Sequence, residues 1–218
     1  MTKHFFVRTL ISTTITALLT TLPSQAHALN ILLTNDDGVT ANVKALKTAL
    51  DNAGHDVLIA VPCSNQSGKG ASINFLSPIT PLTTACRGGA AAAGAAGIGP
   101  VDAVTGLSNA YYANGTPIMA LLYGLDVLAP QRWGKAPDLV ISGPNEGQNV
   151  GGIVISSGTV SNAQFAIHRG LPAIAVSADT NTTDNPTLAA EAAALTVQLL
   201  DKLEQRSGHR GILPKGYA

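Results

Sequence analysis

The chain has 218 residues, and its 13 Lys and Arg residues balance its 13 Asp and Glu residues, so its formal net charge is zero. Proteins that bind nucleic-acid polymers or anionic membrane surfaces carry a basic excess, and this balance argues against both kinds of partner. The 45% share of hydrophobic residues excludes a disordered chain and favours one domain with a large core.

Residues 1–28 have the pattern of a secretory signal peptide. Lys3 and Arg8 precede an uncharged run rich in Thr, Leu, Ile and Ala, and Ala26-His27-Ala28 is a cleavage pattern of the A-x-A type. A membrane anchor is the alternative, but the uncharged run at 9–22 is shorter than the roughly 20 residues that cross a bilayer. We therefore expect export to the periplasm or the medium, followed by cleavage that leaves residues 29–218 as one domain without membrane contact.

The mature chain alternates short apolar runs with helical patterns. Residues 30–34 form an apolar run that ends in a turn, and Val43, Leu46 and Leu50 then mark one face of a helix. Alternation of strand and helix predicts an α/β fold, a Rossmann-like, doubly wound, mostly parallel sheet with helices on both faces. Further strands are predicted at 56–61, 138–141 and 172–176, and further helices at 116–128, 159–168 and 187–204.

Residues 78–115 interrupt this alternation. They contain Pro78 and Pro81, an Ala-rich stretch at 90–96, and a stretch rich in Gly and Pro at 97–100. Long segments without a periodic pattern are uncommon inside compact domains. The sequence therefore predicts an irregular, mobile excursion from the core.

The chain has only two cysteines, Cys63 and Cys86, which are too few for a disulfide framework. In an oxidising compartment they could form one disulfide. The sequence leaves this pairing open.

Oxygen-bearing side chains are concentrated where the predicted strands end. Asn35, Asp36 and Asp37 follow the first strand, and polar runs at 64–70 and 142–149 follow two others. Ligands of open α/β sheets bind beyond the carboxyl ends of the strands. Two adjacent carboxylates with hydroxyl and amide oxygens suit a hard divalent cation such as Mg²⁺, Mn²⁺ or Ca²⁺ rather than zinc. A plain Asp-Gly turn is the alternative interpretation of this segment.

The segment Ser156-Ser157-Gly158-Thr159 precedes a predicted helix and follows a Gly-rich loop. Free amides at a helix start bind phosphate, although ordinary N-capping by Ser or Thr explains the same residues. A cation that bridges to a phosphate held by such amides stabilises phosphoryl transfer to water. Hydrolysis of a phosphomonoester is therefore the functional hypothesis.

Two other functions compete with this hypothesis. A non-catalytic periplasmic binder of small anions would use the Gly-rich helix starts without needing Asp36 and Asp37. A phosphatase that forms an aspartyl-phosphate needs an Asp-x-Asp pair, but position 38 is Gly. Metal-dependent turnover would distinguish an enzyme from a binder.

These segments resemble the SurE (survival protein E) family of acid phosphatases and nucleotidases. The stretches that carry the resemblance are 31–38, 65–68, 142–149 and 157–160, and they follow one another in the family's order. The resemblance implies a metal-dependent phosphomonoesterase that acts on nucleoside 5′- or 3′-monophosphates as small-molecule substrates. It implies one divalent cation per subunit, Mg²⁺ or Mn²⁺, held by Asp36, Asp37, Ser67 and Asn145.

The resemblance also implies a phosphate-binding side of the site. Asn149 and the turn formed by Ser156, Ser157, Gly158 and Thr159 match the family's phosphate-side loop. We expect Asp36 and Asp37 to be the catalytic pair, with a metal-bound water as the attacking group and Asp37 as a candidate general base.

The chain departs from the family pattern at several places, of which two bear on substrate preference and assembly. Pro144 stands where many members have Ile, so the preference for a nucleobase or leaving group can differ. Residues 212–218 resemble the approach to a family strand, and the sequence ends before it. We therefore expect a truncated family member, which would form homodimers or homotetramers if its C-terminal part were complete.

Overall fold

A mostly parallel sheet organises the computed structural model, which describes residues 28–208 and residue 212. Its strands lie in the order β3-β4-β2-β1-β5-β6, and only the β3–β4 pair is antiparallel. The α/β fold predicted from the sequence is thus confirmed. The strands are β1 (Asn30–Thr34), β2 (Asp56–Pro62), β3 (Ile98–Pro100), β4 (Ala110–Ala113), β5 (Leu139–Glu146) and β6 (Ala173–Ala178).

Most of the helices begin at residues whose side chains accept hydrogen bonds from the first turn. Thr40 accepts from the Val43 amide, and Asn185 accepts from the Leu188 amide. Such caps satisfy amides that have no partner inside the helix. The helices are α1 (Ala41–Asn52), α2 (Pro117–Tyr123), α3 (Ala129–Trp133), α4 (Gly158–His168) and α5 (Pro186–Ser207), and the π-helical segment Gly124–Leu128 joins α2 to α3.

Helices cover both faces of the sheet. Successive side chains of a strand point to opposite faces, so apolar side chains on each face need helices to bury them. In β1, Ile31 and Leu33 face a core that includes residues of α1 and α5. Leu32 faces a second core that includes residues of α2 and Ala166 of α4. The central strands are therefore buried on both sides, which explains their continuous apolar sequences.

The parallel pairing of β1 with both β2 and β5 places three chain segments at one edge. Thr34 at the end of β1 lies beside Ser142 of β5. Leu33 lies beside Ile59 of β2. Residues that follow β1 and β2 therefore lie near the last residues of β5.

The prediction for residues 78–115 was wrong in part. The segment contains β3 and β4, and β4 pairs in parallel with β2 inside the sheet. Both strands have four residues or fewer, which is too short to produce a periodic signal amid Gly and Pro.

The region after Ile141, predicted as a loop from Ser142 onward, was also assigned incorrectly. Strand β5 continues to Glu146, with a register shift between Ser142 and Asn145 and a cis peptide bond at Gly143–Pro144. The remaining predicted strands and helices are confirmed, with changed bounds. The continuous helical stretch from α2 to α3 reaches Trp133 rather than residue 128.

A disulfide joins Cys63, which follows β2, to Cys86. Both residues are buried in the core that also contains α1. The bond that the sequence left open is therefore present, and it ties the long segment before β3 to the carboxyl end of β2.

The predicted signal peptide lies outside the described residues except for Ala28, and so does the C-terminal stretch except for the buried Ile212. Within the described part of the chain, no helix is long and apolar enough to cross a membrane.

We predict that removing the disulfide destabilises the fold. The bond closes a loop with a sequence separation of 23 residues, for which chain entropy predicts about 3 kcal/mol of stabilisation. Urea unfolding of a Cys63→Ala/Cys86→Ala variant should show this loss. The control is the same variant in dithiothreitol, whose free energy of unfolding should not fall further. If the variant has the same free energy of unfolding as the unchanged protein, the prediction is wrong.

Candidate metal-binding site

Asp36 and Asp37 lie in a tight turn directly after β1. The turn is closed by the Asn35 side chain, whose Oδ1 accepts from the Gly38 amide at 3.1 Å and whose Nδ2 donates to the Gly38 carbonyl at 2.7 Å. Gly38 has φ of 84°, and a Cβ there would approach the Pro62 carbonyl oxygen to 3.1 Å. Glycine is therefore required at this position, and the turn holds both aspartates against the core with only 3% and 1% of their surface exposed.

Helix α4 contacts the first of these carboxyl groups. Thr159 Oγ1 donates to Asp36 Oδ1 at 2.8 Å, and the main chain of Gly158 also hydrogen-bonds the carboxylate. A Cβ at Gly158 would lie 2.6 Å from the Asp36 Cβ, so only glycine permits this approach. The start of α4 and the end of β1 are thereby joined through Asp36.

The environment of Asp36 raises its pKa to about 6. Burial is the main cause, and the neighbouring Asp37 charge adds to it, whereas the bonds from Thr159 and Gly158 act in the opposite direction. Asp36 is still mostly ionised at neutral pH, although burial and a like charge both oppose ionisation. A cation in contact with both carboxylates would relieve that cost.

Asp37 is held by polar groups from two other chain segments. Its Oδ1 accepts from Asn65 Nδ2 at 3.0 Å and lies 3.5 Å from Ser67 Oγ. Its Oδ2 accepts from the Glu146 amide at 3.0 Å. The loop after β2 and the end of β5 therefore converge on Asp37, as the strand order requires.

Asn145 adds an oxygen without a partner. Its Nδ2 donates to the Gly147 carbonyl at 2.9 Å, whereas its buried Oδ1 accepts no hydrogen bond from the described residues. A buried carbonyl oxygen left in this state is costly unless a ligand contacts it. Asn145 Oδ1 is therefore available to coordinate a cation.

The four predicted ligands fit a hard divalent cation. Asp36 and Asp37 adjoin in sequence, the Ser67 hydroxyl contacts Asp37, and the Asn145 oxygen is unpaired. All are oxygen donors, the kind that Mg²⁺ and Mn²⁺ prefer. Among residues 28–208 and 212, no group of three or more His, Cys, Asp or Glu side chains could hold a metal ion, so any site here depends on hydroxyl and amide oxygens beside the two carboxylates.

The predicted phosphate-binding residues divide into two sets. Thr159 and Gly158 contact Asp36 directly, and Ser157 caps α4 by accepting from the Val160 amide at 3.1 Å. By contrast, Ser156 Oγ donates to the Ile153 carbonyl, and Asn149 Nδ2 donates to Ser177 Oγ. Both of the latter are half-buried, and their contacts with a phosphate stay a prediction.

Arg87 and Glu146 also lie at this edge, and the sequence analysis predicted neither as a site residue. Arg87 Nη1 donates to the Asp37 carbonyl oxygen at 3.1 Å, and its Nη2 lies 2.5 Å from Glu146 Oε2. Arg87 lies in the segment predicted to be irregular, where no periodicity marks it. Its position next to Cys86 was the available signal, because a disulfide to Cys63 brings it to the end of β2.

We predict that Gly158→Ala weakens cation binding, because the added methyl group would displace Asp36 or the start of α4. Titration with Mn²⁺ followed by calorimetry should show at least a roughly tenfold loss of affinity, in line with the effect of disturbing groups that orient ligands. Gly152→Ala is the matched control, since a Cβ at Gly152 meets nothing within 4 Å. Equal affinities of the two variants would refute this role of Gly158.

Comparisons with known proteins support the resemblance seen in the sequence. The family described as Survival protein SurE matches residues 31–213. The 5′-nucleotidase SurE of Desulfovibrio desulfuricans is 39% identical over 152 residues, which cover 69% of this chain and 50% of that protein. An acid phosphatase of Yarrowia lipolytica is 32% identical over 207 residues, which cover 90% of this chain and 57% of that protein.

A solved structure shows the same fold. The crystal structure of the SurE protein from Aquifex aeolicus aligns with a TM-score of 0.62 at 31% identity, covering 80% of this chain and 60% of that one. The chain thus spans about half to three fifths of the length of these relatives. The match over residues 31–213 includes every predicted metal ligand and every described strand residue except Asn30, and the chain belongs to the SurE family.

Proposed function

We propose that this chain carries the catalytic site of a divalent-metal-dependent phosphomonoesterase that hydrolyses nucleoside 5′- or 3′-monophosphates to nucleoside and phosphate. The observation that carries the proposal is the buried Asp36–Asp37 pair, which is bonded to the end of β5 where the Asn145 oxygen has no hydrogen-bond partner among the described residues. Relatives named 5′-nucleotidase and acid phosphatase support the same reaction class. The substrate is a small phosphate ester, consistent with a chain that has no basic excess.

Asp36, Asp37, Ser67 and Asn145 would hold one Mg²⁺ or Mn²⁺ ion. When bound, such an ion polarises a phosphoryl oxygen and lowers the pKa of a coordinated water. The carboxylates supply the negative charge, and the hydroxyl and amide complete an oxygen-only set.

The chain's own residues hold this site in one geometry. Thr159 fixes Asp36, while Asn65 and the Glu146 amide fix the two oxygens of Asp37. The first turn of α4 lies next to Asp36, and amides at such a helix start bind the oxygens of a phosphate. A phosphate on the cation would therefore meet a helix start that is already in place, so little reorganisation is needed during the reaction.

We also propose that the protein acts in the periplasm or outside the cell. The Cys63–Cys86 disulfide supports this location, because disulfides persist in oxidising compartments and are rare in the cytosol. Fractionation of the producing cells, with N-terminal sequencing of the mature protein, tests the location. Recovery of an unprocessed, reduced chain in the cytosol would contradict it.

We predict that phosphate release depends on a divalent cation and on Asp37. Release from nucleoside monophosphates and from p-nitrophenyl phosphate should stop in EDTA and return with Mn²⁺ or Mg²⁺. Asp37→Asn removes a charged oxygen ligand and should lower kcat by at least about a hundredfold, the scale of losing a group that stabilises transition-state charge.

Asp126→Asn provides the matched control. Asp126 forms an exposed ion pair with Arg169, so its charge can be removed without touching the site. Phosphate binding without turnover in the metal-loaded protein would favour a binder of small anions over an enzyme. Normal turnover by Asp37→Asn would refute the assignment of Asp37.

A further inference from the structure

Arg87 and Glu146 form an ion pair at the proposed cation site that the four-ligand scheme does not use. Arg87 Nη2 lies 2.5 Å from Glu146 Oε2, and Arg87 Nη1 lies 3.9 Å from Asp37 Oδ1. Glu146 directly follows the predicted ligand Asn145, and its amide holds Asp37. A third acidic residue therefore lies beside the two that would bind the cation.

The carboxyl group of Glu146 is almost completely buried, with 6% of its side chain exposed. Its Oε2 pairs with Arg87, whereas its Oε1 accepts no hydrogen bond from the described residues. A buried carboxylate depends strongly on its partner, because loss of the partner leaves an uncompensated charge. Arg87 is thus the group that balances Glu146.

Arg87 is held in place by its main chain as well as by its side chain. The preceding residue, Cys86, is bonded to Cys63, and the Arg87 amide donates to the Cys63 carbonyl at 2.8 Å. On the other side, a Cβ at Gly88 would lie 2.2 Å from the Val39 carbonyl oxygen, so this segment packs directly on the backbone after the Asp turn. The guanidinium is therefore preorganised, and little conformational entropy is lost when it pairs with Glu146.

The charges of these groups explain why the pair matters for a phosphate ester. Asp36, Asp37 and Glu146 together carry up to three negative charges, and a divalent cation cancels two of them. The remaining charge would repel a phosphate dianion in a partly buried site where screening is weak. Arg87 cancels it.

We propose that Arg87 is a positioning residue that neutralises Glu146 and fixes the Asp37 main chain, so that the cation site accepts a phosphate anion. This inference rests on the proposed function and goes beyond the four-ligand site. The disulfide holds Arg87 in the place where it can do this.

The test compares Arg87→Met, Glu146→Gln and the double variant. With Mn²⁺ present, Arg87→Met should raise KM for p-nitrophenyl phosphate by about tenfold or more and lower kcat by a smaller factor, because an uncancelled charge opposes phosphate binding. Adding Glu146→Gln to Arg87→Met removes that charge. The double variant should therefore return to within about threefold of the KM of the Glu146→Gln single variant.

Arg132→Met is the matched control, since Arg132 pairs with Asp56 at the opposite, amino end of β2. Its KM should equal that of the unchanged protein. An unchanged KM in Arg87→Met, or a double variant as impaired as Arg87→Met, would overturn the proposal, because in either case an uncancelled Glu146 charge is not what opposes phosphate binding.

Calorimetric binding of inorganic phosphate to the Mn²⁺-loaded proteins separates this proposal from the proposed function. If the unchanged protein binds phosphate but does not turn over esters, the phosphatase assignment fails. The dissociation constants (Kd) of the same variants for phosphate still decide the role of Arg87. If it turns over esters and Arg87→Met binds phosphate as well as the unchanged protein does, only the role of Arg87 fails. If it binds no phosphate at all, both fail.

Discussion

The site depends on one electrostatic constraint, which is that two adjacent carboxyl groups are buried at the end of a central strand. Burial and the neighbouring Asp37 charge both oppose the ionisation of Asp36 and raise its pKa to about 6. Folding compensates only part of this cost, through the Thr159 hydroxyl, the Asn65 amide and the main chain of Glu146. A cation in contact with both carboxylates would offset the rest, so the burial that opposes ionisation of Asp36 would also favour cation binding.

The strand order makes this arrangement possible from distant parts of the chain. Asp37 and Glu146 are 109 residues apart, and Asp36 and Thr159 are 123 residues apart. They meet because β1 lies between β2 and β5 and all three strands run in the same direction. Ligands collect at the carboxyl ends of such strands for this geometric reason, independently of which chemistry a family has placed there.

The end of β5 shows how local backbone geometry refines that convergence. A Cβ at Gly143 would lie 2.2 Å from the Val176 carbonyl oxygen, and Gly143 has φ of 117°, so no other residue fits. The register shift that follows lets Asn145 pair with Ser177 while its side-chain oxygen stays unpaired. An irregular strand end therefore positions a predicted metal ligand that a regular strand would place differently.

The sequence predicted the fold wherever burial imposes a pattern. β1 and β2 are buried on both faces and read as apolar runs, and α1 shows its buried face at Val43, Leu46 and Leu50. The turn with Asp36 and Asp37 was also predicted as a candidate site, because ligands of such sheets bind at turns between a strand end and a helix. β3 and β4 were missed because three or four residues cannot display a period, and β4 is held in the sheet by its neighbour β2 rather than by its own sequence.

Arg87 was missed for a different reason, which concerns covalent rather than periodic information. No local pattern marks it, and its place at the site follows from a bond between Cys63 and Cys86 that spans 23 residues. Once that bond exists, the segment before β3 is attached at the point where the loop after β2 begins, and Arg87 reaches both Asp37 and Glu146. A disulfide limits the conformations of the unfolded chain as well as the folded one. It therefore allows the segment before β3 to hold the Arg87 guanidinium in a fixed place beside a buried acidic site.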